Sequence, residues 1–285
     1  MKLSLFHLAV TFILIWATIV VILPIFWMFV TSVTPREELY SSPLWIIPSR
    51  ITFTSGDPAA TPLYYDLLFG YWAERFWHFY GNSIKVSLLT VAITLPLSLL
   101  GGYGLSRFKF RGNRFITLTL ILIYMFPPTV LAAPYFIITR NLGIYDTIWA
   151  LVLVNSVKTI PFATWTLRML LDGIPKEIDE AALIDGCSRF GVLVRIIIKL
   201  AKVAVFTVSI WSFLITWNEF MFGYTLTKKE AVVITRLIYQ ITFQYGVTLN
   251  SIMAIAATNS IPLIILFIFF QKYIVRAMIA GWGKF

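Results

Sequence analysis

The sequence predicts an all-α polytopic membrane protein with six transmembrane helices. Of its 285 residues, 59% are hydrophobic and 13% are charged, against the ~25% charged of an ordinary soluble domain. Mean hydropathy is +0.84, so polar groups are too few to coat a soluble globule. The apolar residues also gather into six stretches, each near the ~20 residues that a helix needs to cross a bilayer.

The first stretch covers about residues 8–30, and no charged residue lies between Lys2 and Arg36. It is too long for a signal-peptide core and lacks a small-residue cleavage site, so residues 1–31 read as a retained span with a cytoplasmic N-terminus. Residues 32–81 form an extracytoplasmic loop rich in Pro, Ser and Thr, which closes on YWAERFWHFY at 71–80. Dense aromatics beside a span suit a headgroup-depth belt, serving as an anchor or a partner surface. A core of five helices follows over 82–271. Its spans are expected at 84–105, at 115–137, at 148–169 with Lys158 inside, at 203–222 with Glu219 near the end, and at 251–270. Residues 272–285 are a cytoplasmic tail. Five of the six spans contain proline (Pro24; Pro96; Pro127, Pro128 and Pro134; Pro161; Pro262), which predicts bent helices but is common in membranes.

Six spans leave both termini on one side. Of the 23 Lys and Arg, 14 fall on the side of the termini and 7 on the other, with Lys85 and Lys158 inside spans. Basic loops stay in the cytoplasm, so both termini are expected there. The RFKFRGNR run at 107–114 gives the clearest indication. The net charge of +10 thereby follows topology, and no nucleic-acid partner is implied. One Cys and two His argue against a disulfide framework or a metal site. No GxxxxGK[ST] loop is present, so the chain has no Walker-type ATP site of its own.

The loop at 172–202 is the most informative segment. Residues 172–185 hold five acids and one Lys, and 186–202 hold four bases and no acid. Pro175 suits a first helical turn because its missing N–H would be unpaired there. Glu177, Asp179 and Glu180 sit where the helix dipole favours negative charge. Gly186 can take the left-handed conformation that ends a helix. The segment therefore reads as a short acidic helix of about ten residues, too short to be stable alone and in need of a docking surface. Beyond it, Phe190, Leu193, Val194, Ile197 and Ala201 share one helical face, while Arg195, Lys199 and Lys202 share another. An apolar face with a basic stripe fits an arm lying along the lipid surface before the fifth span. Such a loop could transmit a push from a soluble partner, or could simply connect two spans.

Glu180-Ala181-Ala182-Leu183-Ile184-Asp185-Gly186 resembles the EAA-x-x-x-G signature of ABC importer permeases, with Ile174-Pro175-Lys176-Glu177 as its usual lead-in. The chain is most similar to the carbohydrate branch, the maltose-permease G-like subunits. Gly81-Asn82-Ser83, the Arg107–Gly112 run, Trp217-Asn218-Glu219-Phe220, Gln271-Lys272-Tyr273 and Ala280-Gly281 match that branch in order, over nearly the whole length. The resemblance implies a type I ABC importer permease fold in a bacterial or archaeal plasma membrane. It implies that the EAA helix docks in a groove of a separate ATPase subunit through Glu180, Ala181, Ala182, Asp185 and Gly186. It implies an assembly with a second homologous permease, two ATPase copies that hold ATP and magnesium, and an extracytoplasmic solute-binding protein that delivers a sugar. This chain would be no enzyme and would hold no cofactor. The usual I-x-L-P ending of the signature reads Ile196-Ile197-Ile198-Lys199 here, and Val203 replaces a later proline, which predicts a more continuous helix entering the fifth span.

Charged and polar groups deep in a membrane are costly, and they face the bundle interior or a wet path. Asn155, Lys158, Asn218, Glu219 and Asn259 are the candidates for a translocation path, with Lys158 and Glu219 approaching each other in one state. Interhelical hydrogen bonding or snorkelling is the structural alternative. In relatives the last outer loop reaches toward the binding protein, which nominates Gln244, Tyr245 and Gly246 as contacts. The resemblance thus favours a permease subunit of a sugar importer. A stand-alone secondary transporter or channel would need an ion-coupling site within the chain and would leave the EAA loop unexplained. A membrane enzyme has no catalytic cluster to support it.

Overall fold

A computed structural model describes residues 5–41, 48, 50–54, 63–70, 72–244 and 249–282. The described residues form helices and no strands. In chain order these are α1 Leu5–Val33, α2 Arg36–Leu39, α3 Tyr64–Leu68, α4 Ala73–Arg107, α5 Asn113–Tyr124, α6 Pro128–Asn141, α7 Ile148–Asp172, α8 Glu177–Ile184 and α9 Arg189–Val192. A π-helical turn, Leu193–Ile197, leads into α10 Ile198–Leu200. The chain continues through α11 Lys202–Trp217, α12 Met221–Leu226, α13 Ile234–Gln244 and α14 Leu249–Trp282. Among the described residues, four helices are long and apolar enough to cross a membrane: α1, α4, α7 and α14. The α5–α6 pair makes a fifth if it is one broken span.

The third expected span is not one rod. Its two halves, α5 and α6, meet at 94°. The cause is Pro127-Pro128. Neither proline has an N–H to continue the ladder, and a residue that precedes proline is pushed out of the helical region. Pro127 is accordingly extended (φ −63°, ψ 135°), and Pro128 opens the next helix at its first position.

The fifth expected span also stops short. α11 ends at Trp217, so its 16 residues reach about 24 Å, less than the ~30 Å hydrocarbon core. The chain breaks at Asn218–Phe220 and restarts as α12. Glu219 forms the break. Its carboxylate accepts the α12 amides of Phe222 (2.9 Å) and Gly223 (3.2 Å), a capping role that a continuous helix has no use for.

Two further expectations shift. The aromatic belt is not a loop: from Ala73 onward it is the first part of α4. Phe76 is fully buried, while Trp77 is exposed and donates to the Leu68 carbonyl at 3.0 Å. The sixth span runs on through the expected tail as one helix to Trp282.

The chain forms two compact units, residues 1–78 with 237–262, and 79–236 with 263–285. In the first, α1 exposes apolar side chains around its whole circumference, from Leu8 to Phe26. A helix apolar on every side belongs in lipid or against another apolar surface. The C-terminal end of α1 is tied to the segment that follows it and to α14. Ser32 and Tyr64 share a hydroxyl bond at 2.8 Å, Thr52 donates its amide to Val33, and Asn250 donates to the Thr34 carbonyl.

In the second unit α4 crosses α7 closely. A Cβ on Gly102 would meet Leu167 Cβ at 3.0 Å and the Arg168 amide at 3.1 Å. Membrane helices without a hydrophobic drive between them rely on such small residues and on polar links. The links here are a Thr94–Thr159 hydroxyl pair at 2.9 Å and a Ser98 hydroxyl donating to the Ile160 carbonyl. α5, α7 and α11 meet at Tyr124, Phe162 and Trp211, with ring centroids 4.4–6.0 Å apart.

At the opposite end of this unit from α8, Asp146 holds the segment after α12. It is a non-glycine residue with positive φ (58°), a conformation that Asp tolerates better than most. Its carboxylate accepts the amides of Lys228 (2.8 Å), Lys229 (3.0 Å), Glu230 (3.3 Å) and Ala231 (3.3 Å). Burial pushes this carboxyl up, but the four amides outweigh it and hold the group below its usual value.

Two outcomes follow. Gly102→Val forces α4 and α7 apart and lowers the unfolding temperature of the detergent-solubilised protein, whereas Gly104→Ala, with open space around it, leaves that temperature unchanged. For Asp146, a depressed folded-state value means that its stabilisation is complete above the unfolded value near ~3.9 and is lost only as pH falls through the lower folded one. Hydrogen exchange at residues 228–231 should stay slow down to about pH 4. It should quicken at neutral pH in Asp146→Ala, where about 1–2 kcal/mol of charge-assisted bonding disappears.

Candidate functional site

The site is built around α8. Its first turn carries Glu177, Asp179 and Glu180, and its end is the expected left-handed glycine, Gly186 at φ 85°. The amides of Gly186 and Cys187 close back onto Leu183 and Ala182 at 3.1 and 3.0 Å. Eight residues cannot hold a helix in water, so the docking surface matters most.

The chain supplies half of that surface itself. Asp179 and Ala182, one turn apart, face inward and are buried. Asp179 Oδ2 accepts the Tyr103 hydroxyl at 2.8 Å and Arg107 Nε at 3.1 Å. The Arg107 and Asp179 side chains are 3% and 8% exposed, so this is a buried ion pair. Arg107 also donates to the Leu171 carbonyl at 3.1 Å, and neighbouring Ser106 donates to Asp172 at 2.5 Å. The last turn of α4 thus grips both the start of α8 and the end of α7. Ala182 packs into a core with Leu171, Val192, Leu193 and Ile197.

The opposite face points away from the chain. Glu177, Glu180, Ala181 and Asp185 are exposed, and Ile184 is 87% exposed. Glu177, Glu180, Ala181 and Ile184 fall at i, i+3, i+4 and i+7, one stripe of a helix. Of the five residues nominated for docking, Glu180, Ala181, Asp185 and Gly186 are accessible. Ala182 is not, because helical period puts it beside Asp179.

The arm after α8 differs from expectation. It is not a continuous helix, since the π-turn and a break at Ala201 (φ −87°, ψ 16°) interrupt it. Its apolar residues do not all share a lipid-facing side. Leu193, Ile197 and Ala201 are buried with Ala182, while Phe190 and Val194 are exposed. Arg195, Lys199 and Lys202 are exposed as expected.

The intramembrane candidates divide. Asn155 is buried and donates back to the Leu151 carbonyl at 2.9 Å. Lys158 lies one turn along α7, with its ammonium 5.6 Å from the Phe222 ring centroid. Glu219 is close enough to act on it electrostatically, though the two form no ion pair within 4.0 Å. Asn218 is exposed and bonds only its own helix, at Leu214. Asn259 lies on α14 in the first unit. Gln244 ends α13, and Tyr245 and Gly246 lie outside the described residues.

Sequence reasoning missed Tyr103, Arg107, Asp179 and Ile184. It counted Asp179 with the first-turn acids and Arg107 with the topology-setting bases. The i, i+3 spacing of Asp179 and Ala182, opposite Glu180 and Ile184, was the available signal. Removing one member of a buried pair strands the other charge, at a cost of about 3–5 kcal/mol. Asp179→Ala should therefore lower the unfolding temperature strongly. Arg107→Met combined with Asp179→Leu should recover most of that loss, and a double-mutant cycle measures the coupling.

Comparison with known proteins places this geometry. Residues 94–280 match the family described as binding-protein-dependent transport system inner membrane component. The diacetylchitobiose uptake system permease protein DasC of Streptomyces coelicolor is 30% identical over 266 residues, covering 92% of each chain. The trehalose/maltose transport system permease protein MalG of Thermococcus litoralis is 30% identical over 269 residues, covering 92% of this chain and 91% of that one. A chain from the crystal structure of a bacterial ABC transporter involved in import of the acidic polysaccharide alginate shares the fold, with TM-score 0.76 at 22% identity, over 94% of this chain and 96% of that one. A polytopic helical chain whose two-faced α8 displays the EAA sequence on a buried anchor, matched by these relatives along almost its entire length, belongs to the family of binding-protein-dependent transport system inner membrane components.

Proposed function

We propose that this chain is the permease subunit of an ATP-driven sugar importer, and that α8 is the element through which a separate ATPase drives it. One observation supports the reading above the others. α8 is anchored inside the chain by Asp179 and Ala182, while its other face, with Glu180, Ala181, Ile184 and Asp185, is exposed. A helix that only connected two spans would gain nothing from displaying Ile184 to water. In this reading the ATPase subunits bind ATP and magnesium, and their closure pushes α8. The push reaches α4 through Arg107 and α11 through the core around Ala182. A second permease completes the path, and a solute-binding protein delivers the solute on the far side. The termini and α8 lie in the cytoplasm. The names of the relatives point to a di- or oligosaccharide.

Within the bundle, Lys158 is the strongest candidate to line the path, with Asn155 on the same helix. Glu219 acts mainly as the cap of α12 and as a counter-charge near Lys158. Uptake in Lys158→Ala should fall, while Asn218→Ala should transport normally.

The experiment is co-purification. An affinity-tagged chain expressed with its neighbouring transport genes should bring down an ATPase. Ile184→Asp and Glu180→Arg should each weaken that association by at least about tenfold, equivalent to ~1.4 kcal/mol, without lowering the unfolding temperature of the permease alone. Solute uptake by this chain alone in liposomes without ATP would overturn the proposal in favour of a stand-alone transporter.

A further inference from the structure

The connection between α4 and α5 lines a cavity of about 740 Å³ on the same side of the chain as α8. Lys109, Arg111, Arg114, Arg168 and Lys176 contribute five cations, and Asp172 contributes one carboxylate. Gly112, at φ 99°, turns the chain so that residues before and after it face the same space. Asp172 is already engaged by Ser106 at 2.5 Å and by Arg168 at 3.8 Å, and Arg168 also donates to Thr117. Lys109, Arg111, Arg114 and Lys176 form no ion pair among the described residues. The cavity therefore presents a large uncompensated positive charge.

Its rim is apolar. Phe108 and Phe110 line or border it, and both are exposed. From there Phe115, Leu118 and Leu122 continue along one face of α5, at 73%, 51% and 60% exposure. A free phosphate would use only the cations. A phospholipid would use both parts, with its phosphate among the bases and its chains along α5. Basic pockets where membrane helices meet the cytoplasmic surface suit such headgroups.

We propose that this cavity binds the headgroup phosphate of an anionic phospholipid, whose acyl chains lie on Phe115, Leu118 and Leu122. The test uses the assembled transporter in nanodiscs of phosphatidylcholine, titrated with phosphatidylglycerol and read by native mass spectrometry. Replacing Lys109, Arg111 and Arg114 together by Gln should reduce retained phosphatidylglycerol at least about fivefold. Arg111→Gln alone, at an exposed position that does not challenge folding, should give a smaller loss in the same direction. The charge-keeping set Lys109→Arg, Arg111→Lys and Arg114→Lys should retain the lipid, as should a control set outside the cavity lining, with Arg195, Lys199 and Lys202 changed to Gln. An excess of inorganic phosphate should not displace it. Equal loss in the control set would reduce the effect to general surface charge and overturn the proposal. Displacement by inorganic phosphate would make the cavity a soluble-anion site. Unchanged lipid retention with loss of an ATPase subunit would make it a protein contact.

Discussion

The buried pair between Arg107 and Asp179 sets the geometry on which the rest of this end of the molecule depends. Removing two charges from water is expensive, and the mutual attraction offsets that cost only when the remaining donors and acceptors are also engaged. Here the Tyr103 hydroxyl and the Leu171 carbonyl engage part of each group, while Arg107 Nη2 and Asp179 Oδ1 are buried with no hydrogen-bond partner among the described residues. An apolar replacement could match the pair in stability, but it would not specify which turn of α8 meets which turn of α4. The pair provides that registry. Because Asp179 is inside, helical period obliges Glu180, Ala181 and Ile184 to be outside. The display of the EAA face follows directly from where one carboxylate is buried.

A single anchor would let α8 pivot. The second anchor is Ala182, which sits in the core formed by the end of α7 and the arm that leads into α11. The π-turn at Leu193–Ile197 keeps Leu193 and Ile197 on that inward side. Without proline in this stretch, the chain adjusts its register by widening a turn, and no rigid kink is needed. α8 is thereby joined to α4 by charge and to α11 by apolar packing. These two joints answer differently to force. The ion pair resists separation and fixes angle, whereas the alanine-lined contact tolerates sliding.

Much of this was legible in the residues. Long, almost uninterrupted apolar runs located α1, α4, α7 and α14, since lipid rewards such runs. Pro175, the acids that follow it and Gly186 located α8 to within a few residues. What stayed hidden was decided by tertiary structure. Pro127-Pro128 announced a bend, but not its 94° size, which goes with α5 packing along α7 and α6 along α12. Glu219 looked like a charge at the end of a span. Its role as a cap emerged only once the chain was seen to break there, with Phe222 and Gly223 offering free amides. The sequence located α8 without separating its two faces, and composition could not say which was inward, because both faces carry acids and alanine. Only the position of Arg107, more than seventy residues earlier, breaks that tie.

The same logic separates the two ends of the second unit. Near α8 the chain invests in side-chain charge, with Arg107 and Asp179 on different helices that must hold their angle. At the other end Asp146 is held by four consecutive backbone amides. A carboxylate gripped by backbone binds a segment whatever its side chains are, so Lys228, Lys229 and Glu230 remain free to vary in what they present outward. Asp146 also precedes α7 directly, while Glu219 precedes α12. Asp146 therefore ties the segment beyond α12 to the start of α7, Glu219 caps the start of α12 locally, and Phe222 lies against Lys158. α12 thus begins on one carboxylate and is followed by a segment held on another, and between them it packs on the turn of α7 that carries Lys158.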